Sequence, residues 1–291
     1  MQSIAEIIKD VANLELVAKK NAFSLLTGDY VTSIPGRGMD FHEARKYVTG
    51  EPIRLIDWNM TARLGEPYVK VFLDERQRDV FIALDVSPSM FSGWQDKTKT
   101  EYAIEIAATL AVSVIQSRDR LGHIIFTDKP LEVARPMSGK KQLFRTLKSF
   151  LSYGKKIQKS NDTSDIRAAI HSIQKFKGNR FVVFIISDFI DQDIPEDLKY
   201  IKSKHDLNLI HIYDKVEYAF TSDVRFPAYS PEGAKNSSII HPGQTGSLQT
   251  IQKYLLEESL KYNISLASVS TTDSVSQALR NLFFLKKRRK V

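Results

Sequence analysis

The sequence predicts an α/β fold in which helices cover both faces of a mostly parallel β-sheet, preceded by a small N-terminal helix and strand segment. Five short runs are continuously apolar and rich in β-branched residues, as are strands buried on both faces. Segments with the apolar spacing of helices separate these runs, and a regular alternation of strand and helix is typical of a parallel sheet. The chain of 291 residues has no cysteine, which excludes a disulfide scaffold, thiolate-bound zinc and iron–sulfur clusters.

Residues 1–78 are predicted to form the N-terminal segment. Apolar residues recur every three or four positions up to about residue 28, which indicates one or two helices. Because Glu6, Lys9 and Asp10 interrupt this apolar pattern, it is an amphipathic helix and not a signal peptide. From residue 29 onward Pro, Gly, Arg, Asp and aromatic residues predict short strands and ordered loops, including a strand at 67–73.

Residues 79–285 carry the alternating pattern of the predicted sheet domain. The predicted buried strands are 80–86, 121–126, 181–187, 207–213 and 264–269. The predicted helices lie near residues 100–118, 140–152, 164–177, 195–204, 249–262 and 274–285. Residues 131–135, after Lys129-Pro130, are expected to add an antiparallel edge strand. A stretch rich in Pro, Gly, Ser and Asn interrupts the pattern and predicts a surface hairpin at about 214–248.

Residues 286–291 form a basic tail. The run from Lys286 to Lys290 holds five of the charges behind the net charge of +8, and this concentration argues against a nucleic-acid-binding body. We expect a solvated, frayed terminus, with anionic lipid, nucleic acid or an acidic partner as alternative contacts. No apolar run approaches the roughly 20 residues of a membrane span, so we expect a soluble, cytoplasmic protein.

Carboxylates and hydroxyls at the carboxyl ends of predicted strands form the candidate site. The first strand ends in Asp85-Val86-Ser87-Pro88-Ser89, and the third ends in Ser187-Asp188. Ligands of open α/β sheets bind at this edge, near the point where the strand order reverses. The start of the helix near 164–177 is expected to face the same edge. The candidate ligands are Asp85, Ser87, Ser89, Thr163, Ser164 and Asp188.

These oxygen ligands suit Mg²⁺, with Mn²⁺ or Ca²⁺ as alternatives, and they do not suit zinc. They are too few to form a closed cage, so we expect water to fill the remaining positions and one position to stay open to an acidic partner. The structural alternative is that Asp85 belongs only to a loop and that the serines are turn residues.

Two sequence patterns carry a family resemblance. Asp85-x-Ser87-x-Ser89, with a later Thr or Ser and a later Asp, resembles the metal-ion-dependent adhesion site of von Willebrand factor A domains. The stretch from Arg45 to Arg63 resembles the signature of the bacterial domain-of-unknown-function 58 family, R-x-Y-x-x-G-[DE]-x-x-R-x-I-D-W-x-x-x-A-R. The resemblance covers about residues 28–285, and further matches are Gly36, Gly38, Phe41, Glu75, Phe189 and His211–Asp214.

The resemblance implies a Rossmann-type, von Willebrand A-like domain and a partner of the MoxR-type AAA+ ATPase class. It assigns the metal-ligand role to Asp85, Ser87, Ser89 and Asp188. Family members usually have T-D-[IL] where this chain has Ser164-Asp165-Ile166, so either Ser164 or the neighbouring Thr163 is the middle-loop ligand. No catalytic activity is established for the family.

We therefore predict a non-enzymatic, divalent-cation-dependent interaction module, acting as an adaptor or assembly factor with a MoxR-type ATPase and a protein client. An Asp or Glu of the partner would complete the metal shell. The first alternative is a metal-dependent phosphoester hydrolase, although Ser87 stands where a D-x-D-x-[TV] motif needs its second Asp. The second alternative is a structural domain with a vestigial metal site.

The segment from Arg45 to Arg63 has two interpretations of its own. In the structural one, Arg45, Arg54, Asp57 and Arg63 form buried or half-buried ion pairs that lock the N-terminal segment onto the sheet, with Trp58 packed beneath. In the functional one, the same arginines form an anion-binding or partner-binding surface.

Overall fold

The computed structural model of the chain describes residues 4–26, 41–49, 51–72, 77–93, 97–155, 163–177, 180–190, 195, 197–215 and 248–288. Within these ranges, no helix is both long enough and apolar enough to cross a membrane. The predicted hairpin at 214–248 lies almost entirely outside the described residues, as do Gly36, Gly38 and Glu75.

Two sheets are present in the described part of the chain. The small sheet pairs β1 (Phe41–Lys46) with β2 (Tyr68–Phe72) in antiparallel orientation. The strands of the large sheet are β3 (Asp79–Asp85), β4 (Arg120–Phe126), β5 (Pro130–Met137), β6 (Phe181–Ser187), β7 (Asp206–Tyr213) and β8 (Ser265–Ser270). Their order is β5-β4-β3-β6-β7-β8, with all neighbours parallel except β5, which is antiparallel to β4. The mostly parallel sheet and its antiparallel edge strand are confirmed.

Helices cover both faces of the large sheet. They are α1 (Ile4–Leu26), α2 (Trp58–Leu64), α3 (Lys99–Gln116), α4 (Lys140–Gly154), α5 (Ile166–Gln174), α6 (Asp197–Lys204), α7 (Leu248–Lys261) and α8 (Val275–Arg288). Alternate side chains of β3 face opposite ways, as the period of a strand requires. Ile82 packs in the layer of α1, α3, α4 and α8, whereas Phe81 packs in the layer of α5, α6 and α7. Each face of the sheet therefore has its own apolar core.

Helix α1 belongs to the main core by its contacts. Val11, Ala18 and Ala22 are buried within the layer formed with α3, α4 and α8. Lys155 at the end of α4 also forms an ion pair with Asp10. The sequence pattern groups this helix with the N-terminal segment, but its apolar face packs on the sheet domain.

The segment around β1, β2 and α2 corrects one prediction. Asp57 caps α2 by accepting hydrogen bonds from the backbone N–H groups of Asn59 and Met60. The Trp58 side chain is 64% exposed, so the prediction that Trp58 packs beneath the sheet is wrong. Arg45 forms its ion pair with Glu51, inside the same segment. The physical reason is that α2 is a seven-residue helix whose first residue faces solvent, and neither of these polar groups reaches the large sheet to form the predicted lock.

The topology places one crevice at the carboxyl end of the large sheet. The chain moves from β3 to β4 on one side and later returns to β6 on the other side of β3. This reversal of strand order is the usual position of a ligand site in an open α/β sheet. Asp85 ends β3, and Ser187 and Asp188 end and follow β6, so the predicted carboxylates come together at the crevice.

Candidate functional site

Asp85 lies at the centre of the site and is fully buried. Its Oδ1 accepts a hydrogen bond of 2.8 Å from the backbone N–H of Ser87. Its Oδ2 accepts hydrogen bonds of 2.6 Å from the hydroxyls of Ser164 and Ser187. Burial, and then the negative charge of Asp188, raises the pKa of this carboxyl above its usual range, whereas the hydrogen bonds from the serine hydroxyls oppose the shift.

The second carboxylate, Asp188, is 1% exposed and is paired with a cation. Its Oδ2 accepts a hydrogen bond of 2.9 Å from the Nζ of Lys99, the first residue of α3, and its Oδ1 accepts one of 3.2 Å from the backbone N–H of Ile190. Lys99 is itself fully buried. Two carboxylates and one ammonium thus share the buried end of the crevice.

The loop after β3 holds two hydroxyls side by side. The Oγ atoms of Ser87 and Ser89 lie 3.1 Å apart, within a short 3-10 turn at Pro88–Phe91. The backbone carbonyl of Met90 accepts a hydrogen bond of 2.8 Å from the Thr100 hydroxyl on α3. Ser87 is buried and Ser89 is half-buried, so the solvent side of the site lies toward Ser89.

The middle loop contributes Ser164 rather than Thr163. The Ser164 hydroxyl reaches Asp85, while Thr163 is exposed. The neighbouring Asp165 anchors the loop twice: its backbone N–H donates to the carbonyl of Thr127 at the end of β4, and its carboxylate caps α5. The geometry therefore brings together five of the six predicted residues and leaves Thr163 outside the hydrogen-bonded cluster.

Sequence reasoning missed two residues of this cluster. Ser187 stands beside Asp188 in the sequence, and its hydroxyl is one of the two that bond to the Oδ2 of Asp85. Lys99 had a sequence signal as well, because a cation in the first turn of a helix is opposed by the helix dipole. A lysine in that position requires a nearby anion, and the anion is Asp188.

His211 borders the cluster and is neutral. It lies on β7 opposite Ser187 of β6, and its Nδ1 is 3.2 Å from the Oγ of Ser268. Burial lowers its pKa to about 4, with Asp188 raising it and Lys99 lowering it. At neutral pH this imidazole contributes no charge, so the positive charge beside Asp188 comes from Lys99.

The oxygen atoms of the cluster fit a hard cation in their chemistry. Two carboxylates and three hydroxyls, from Asp85, Asp188, Ser87, Ser89 and Ser164, are ligand types that Mg²⁺ accepts together with water. Within the described ranges, no group of three or more His, Asp or Glu side chains could hold a metal ion. A cation here would therefore depend on hydroxyl and water oxygens, and it would meet the ammonium of Lys99 at Asp188.

Comparison with known proteins establishes the family. Residues 43–239 match the model of the family described as "Protein of unknown function DUF58". The chain belongs to this family. The DUF58 protein is 22% identical over 268 residues to the uncharacterized protein Rv1480 of Mycobacterium tuberculosis (strain ATCC 25618 / H37Rv), covering 92% of this chain and 79% of that protein. It has the same identity and coverage with the uncharacterized protein Mb1516 of Mycobacterium bovis.

Solved structures share the fold of this DUF58 protein. BatB from Bacteroides thetaiotaomicron, described as a conserved hypothetical protein, superposes with a TM-score of 0.50 at 17% identity, over 72% of this chain and 99% of that chain. The VWA domain of SpRpn10 gives a TM-score of 0.43 at 13% identity, over 72% of this chain and 94% of that domain. The mostly parallel sheet, flanked by helices and carrying D-x-S-x-S after its central strand, is von Willebrand A-like.

Proposed function

We propose that this DUF58 protein is a non-enzymatic protein-interaction module whose contact surface is the carboxyl edge of the large sheet. The observation that carries the proposal is the convergence of three separate loops on one buried carboxylate. The loop after β3, the loop before α5 and the end of β6 all supply hydrogen-bond donors to Asp85. Burying Asp85 beside Asp188 costs free energy, and groups with raised pKa values of this kind cluster at functional sites.

The proposed cofactor is Mg²⁺, with Mn²⁺ or Ca²⁺ as alternatives. Its ligands would come from Asp85, Ser87, Ser89, Ser164 and Asp188, and water would complete the shell. When bound, the ion would offer an open coordination position to an Asp or Glu of a partner protein. The hydroxyls of Ser164 and Ser187 hold the Oδ2 of Asp85 in one orientation, so the site needs little reorganisation on binding.

The proposed partners are a MoxR-type AAA+ ATPase and a protein client, so that the chain acts as an adaptor or assembly factor in the bacterial cytoplasm. Family membership supports this proposal. The chain has no G-x-x-x-x-G-K-[ST] motif, so an ATPase acting here would be a separate chain.

Thermal unfolding tests the metal dependence. We expect millimolar Mg²⁺ or Mn²⁺ to raise the melting temperature of the wild type over its value in EDTA. At about 100 times the dissociation constant the ion adds about 2.7 kcal/mol, which corresponds to about 5–10 °C for a chain of this size. Asp85→Asn and Asp85→Ala should abolish the rise, each variant being compared with itself in EDTA.

The matched control is Asp79→Asn, since Asp79 begins the same strand β3 at the opposite end and pairs with Arg120. This variant should keep the full metal response. The partner arm mixes the protein with purified MoxR-type ATPase from the same organism, with and without EDTA. A complex that is indifferent to EDTA and to Asp85→Asn would contradict the metal-dependent surface, and Mg²⁺-dependent turnover of p-nitrophenyl phosphate would contradict the non-enzymatic function.

A further inference from the structure

The position of Lys99 is unfavourable for a cation on two counts. Its side chain is fully buried, and an ammonium removed from water needs a compensating partner. It is also the first residue of α3, where the helix dipole opposes positive charge. The chain nevertheless holds its Nζ at 2.9 Å from the Oδ2 of Asp188, so this pair must offset both costs.

The ammonium does at Asp188 what a metal ion would do. Asp85 and Asp188 are both buried and repel one another, since the charge of Asp188 disfavours the ionised form of Asp85. Lys99 reduces this repulsion by placing a positive charge on Asp188. A divalent cation bound to the same two carboxylates would reduce it in the same way, and the two cations cannot be accommodated without mutual repulsion.

We propose that Lys99 is a tethered cation that competes with the divalent ion for Asp188, so that metal binds fully only when the ammonium is displaced. The inference rests on the proposed function and deepens it. Its consequence is a low metal affinity in the partner-free protein, because the side chains at the site carry one negative charge instead of two.

Displacement of Lys99 would be felt at the contact surface. The backbone N–H of Lys99 donates to the carbonyl of Ser92 at 3.0 Å, and the hydroxyl of Thr100 donates to the carbonyl of Met90 at 2.8 Å. These bonds connect the first turn of α3 to the loop that carries Ser87 and Ser89. A movement of Lys99 away from Asp188 therefore pulls on the loop that a partner would contact.

The test is Lys99→Met, which keeps an unbranched side chain of similar length and removes the charge. Mn²⁺ binding is measured at one neutral pH by titration calorimetry and by electron paramagnetic resonance of the free ion. We expect the variant to bind Mn²⁺ at least tenfold more tightly than the wild type. The matched control is Lys97→Met, because Lys97 lies two residues away, is exposed and pairs with Glu105. Its Mn²⁺ affinity should equal that of the wild type.

A double variant keeps the test informative if Lys99→Met is destabilised without metal. Lys99→Met with Asp188→Asn removes both charges of the pair, and it should lose the gain in affinity. Weak binding by the wild type with tight binding by Lys99→Met supports the competition, as does binding by Lys99→Met alone, although that result would remove metal from the proposed function of the wild type. Equal affinities would overturn the competition and leave the metal-dependent function standing, whereas absence of binding in both proteins would overturn both.

Discussion

At the scale of single residues, the site is defined by charges that are expensive to bury. Asp85 is stabilised by three hydrogen bonds from protein groups, and Asp188 is stabilised by Lys99. Removing one partner of such a pair leaves an uncompensated charge, which costs more than the pair contributes. Each of these residues therefore depends on the others, and we expect single substitutions at the site to have strongly non-additive effects on stability.

His211 makes a pH prediction at this scale. Its pKa is about 4 in the folded chain because burial disfavours the charged form, against 6.5 when exposed. Between these values the unfolded chain binds a proton that the folded chain does not, so stability is lost as the pH falls from about 6.5 toward 4. Urea unfolding in EDTA should show that His211 contributes about 2 kcal/mol of this loss between pH 7.5 and pH 5.

The contribution of His211 is read from His211→Asn, in which this part of the pH dependence should disappear whatever the change in absolute stability. His171 provides the control, since its side chain is exposed, and His171→Asn should retain the wild-type pH profile. A His211→Asn profile that runs parallel to that of the wild type would show that His211 titrates normally in the folded protein.

At the scale of elements, the helix α2 and the strands β1 and β2 form a segment whose aromatic residue faces solvent. Asp57 and Gly65 delimit α2, the first as its N-cap and the second through its left-handed backbone conformation, with φ of 75°. These local signals are sufficient to form the helix without Trp58. The exposed ring is thus available to a partner, which favours the recognition interpretation of the Arg45–Arg63 segment over the buried-lock interpretation.

Substitution of Trp58 tests this placement. Trp58→Ala should change the free energy of unfolding by no more than about 0.5 kcal/mol, as is usual for an exposed side chain without a special role. Phe81→Ala is the matched aromatic control, because Phe81 is fully buried in the large sheet and its loss should cost about 3–5 kcal/mol. Urea unfolding measures both. A cost for Trp58→Ala close to that of Phe81→Ala would mean that the ring is packed in the native protein.

At the scale of the whole molecule, α1 is joined to a core that is built from distant parts of the chain. Its apolar face meets α3, α4 and α8, and the hydroxyl of Ser276 at the start of α8 lies 3.4 Å from the carbonyl of Asn21. The layer that buries α1 also supports α3, whose first residue is Lys99. The N-terminal helix therefore stabilises the element that positions the site.

Two substitutions on α1 distinguish its inner face from its outer face. Val11 is buried and Leu16 is exposed. Val11→Asp should destabilise the whole protein by about 3 kcal/mol or more in urea unfolding, since it buries an unpaired charge. Leu16→Asp should change stability by less than about 0.5 kcal/mol. Equal and small effects of the two substitutions would show that α1 contributes little to the folded core.

The sequence by itself determined the sheet domain, because apolar period and strand-end polarity are local properties. The strands from β3 to β8, the antiparallel edge and the D-x-S-x-S position could all be predicted, and so could the family. Asp85 and Asp188 were predictable neighbours because carboxyl ends of parallel strands share one edge.

Only the tertiary structure decided how these parts meet. The pairing of Lys99 with Asp188 joins residues 89 positions apart in the sequence, and it depends on strand order and on where α3 begins. The choice of Ser164 over Thr163, the exposure of Trp58 and the packing of α1 on the main core are also contacts between distant elements. Periodicity reports which face of its own element a side chain occupies, but it carries no information on what that face meets.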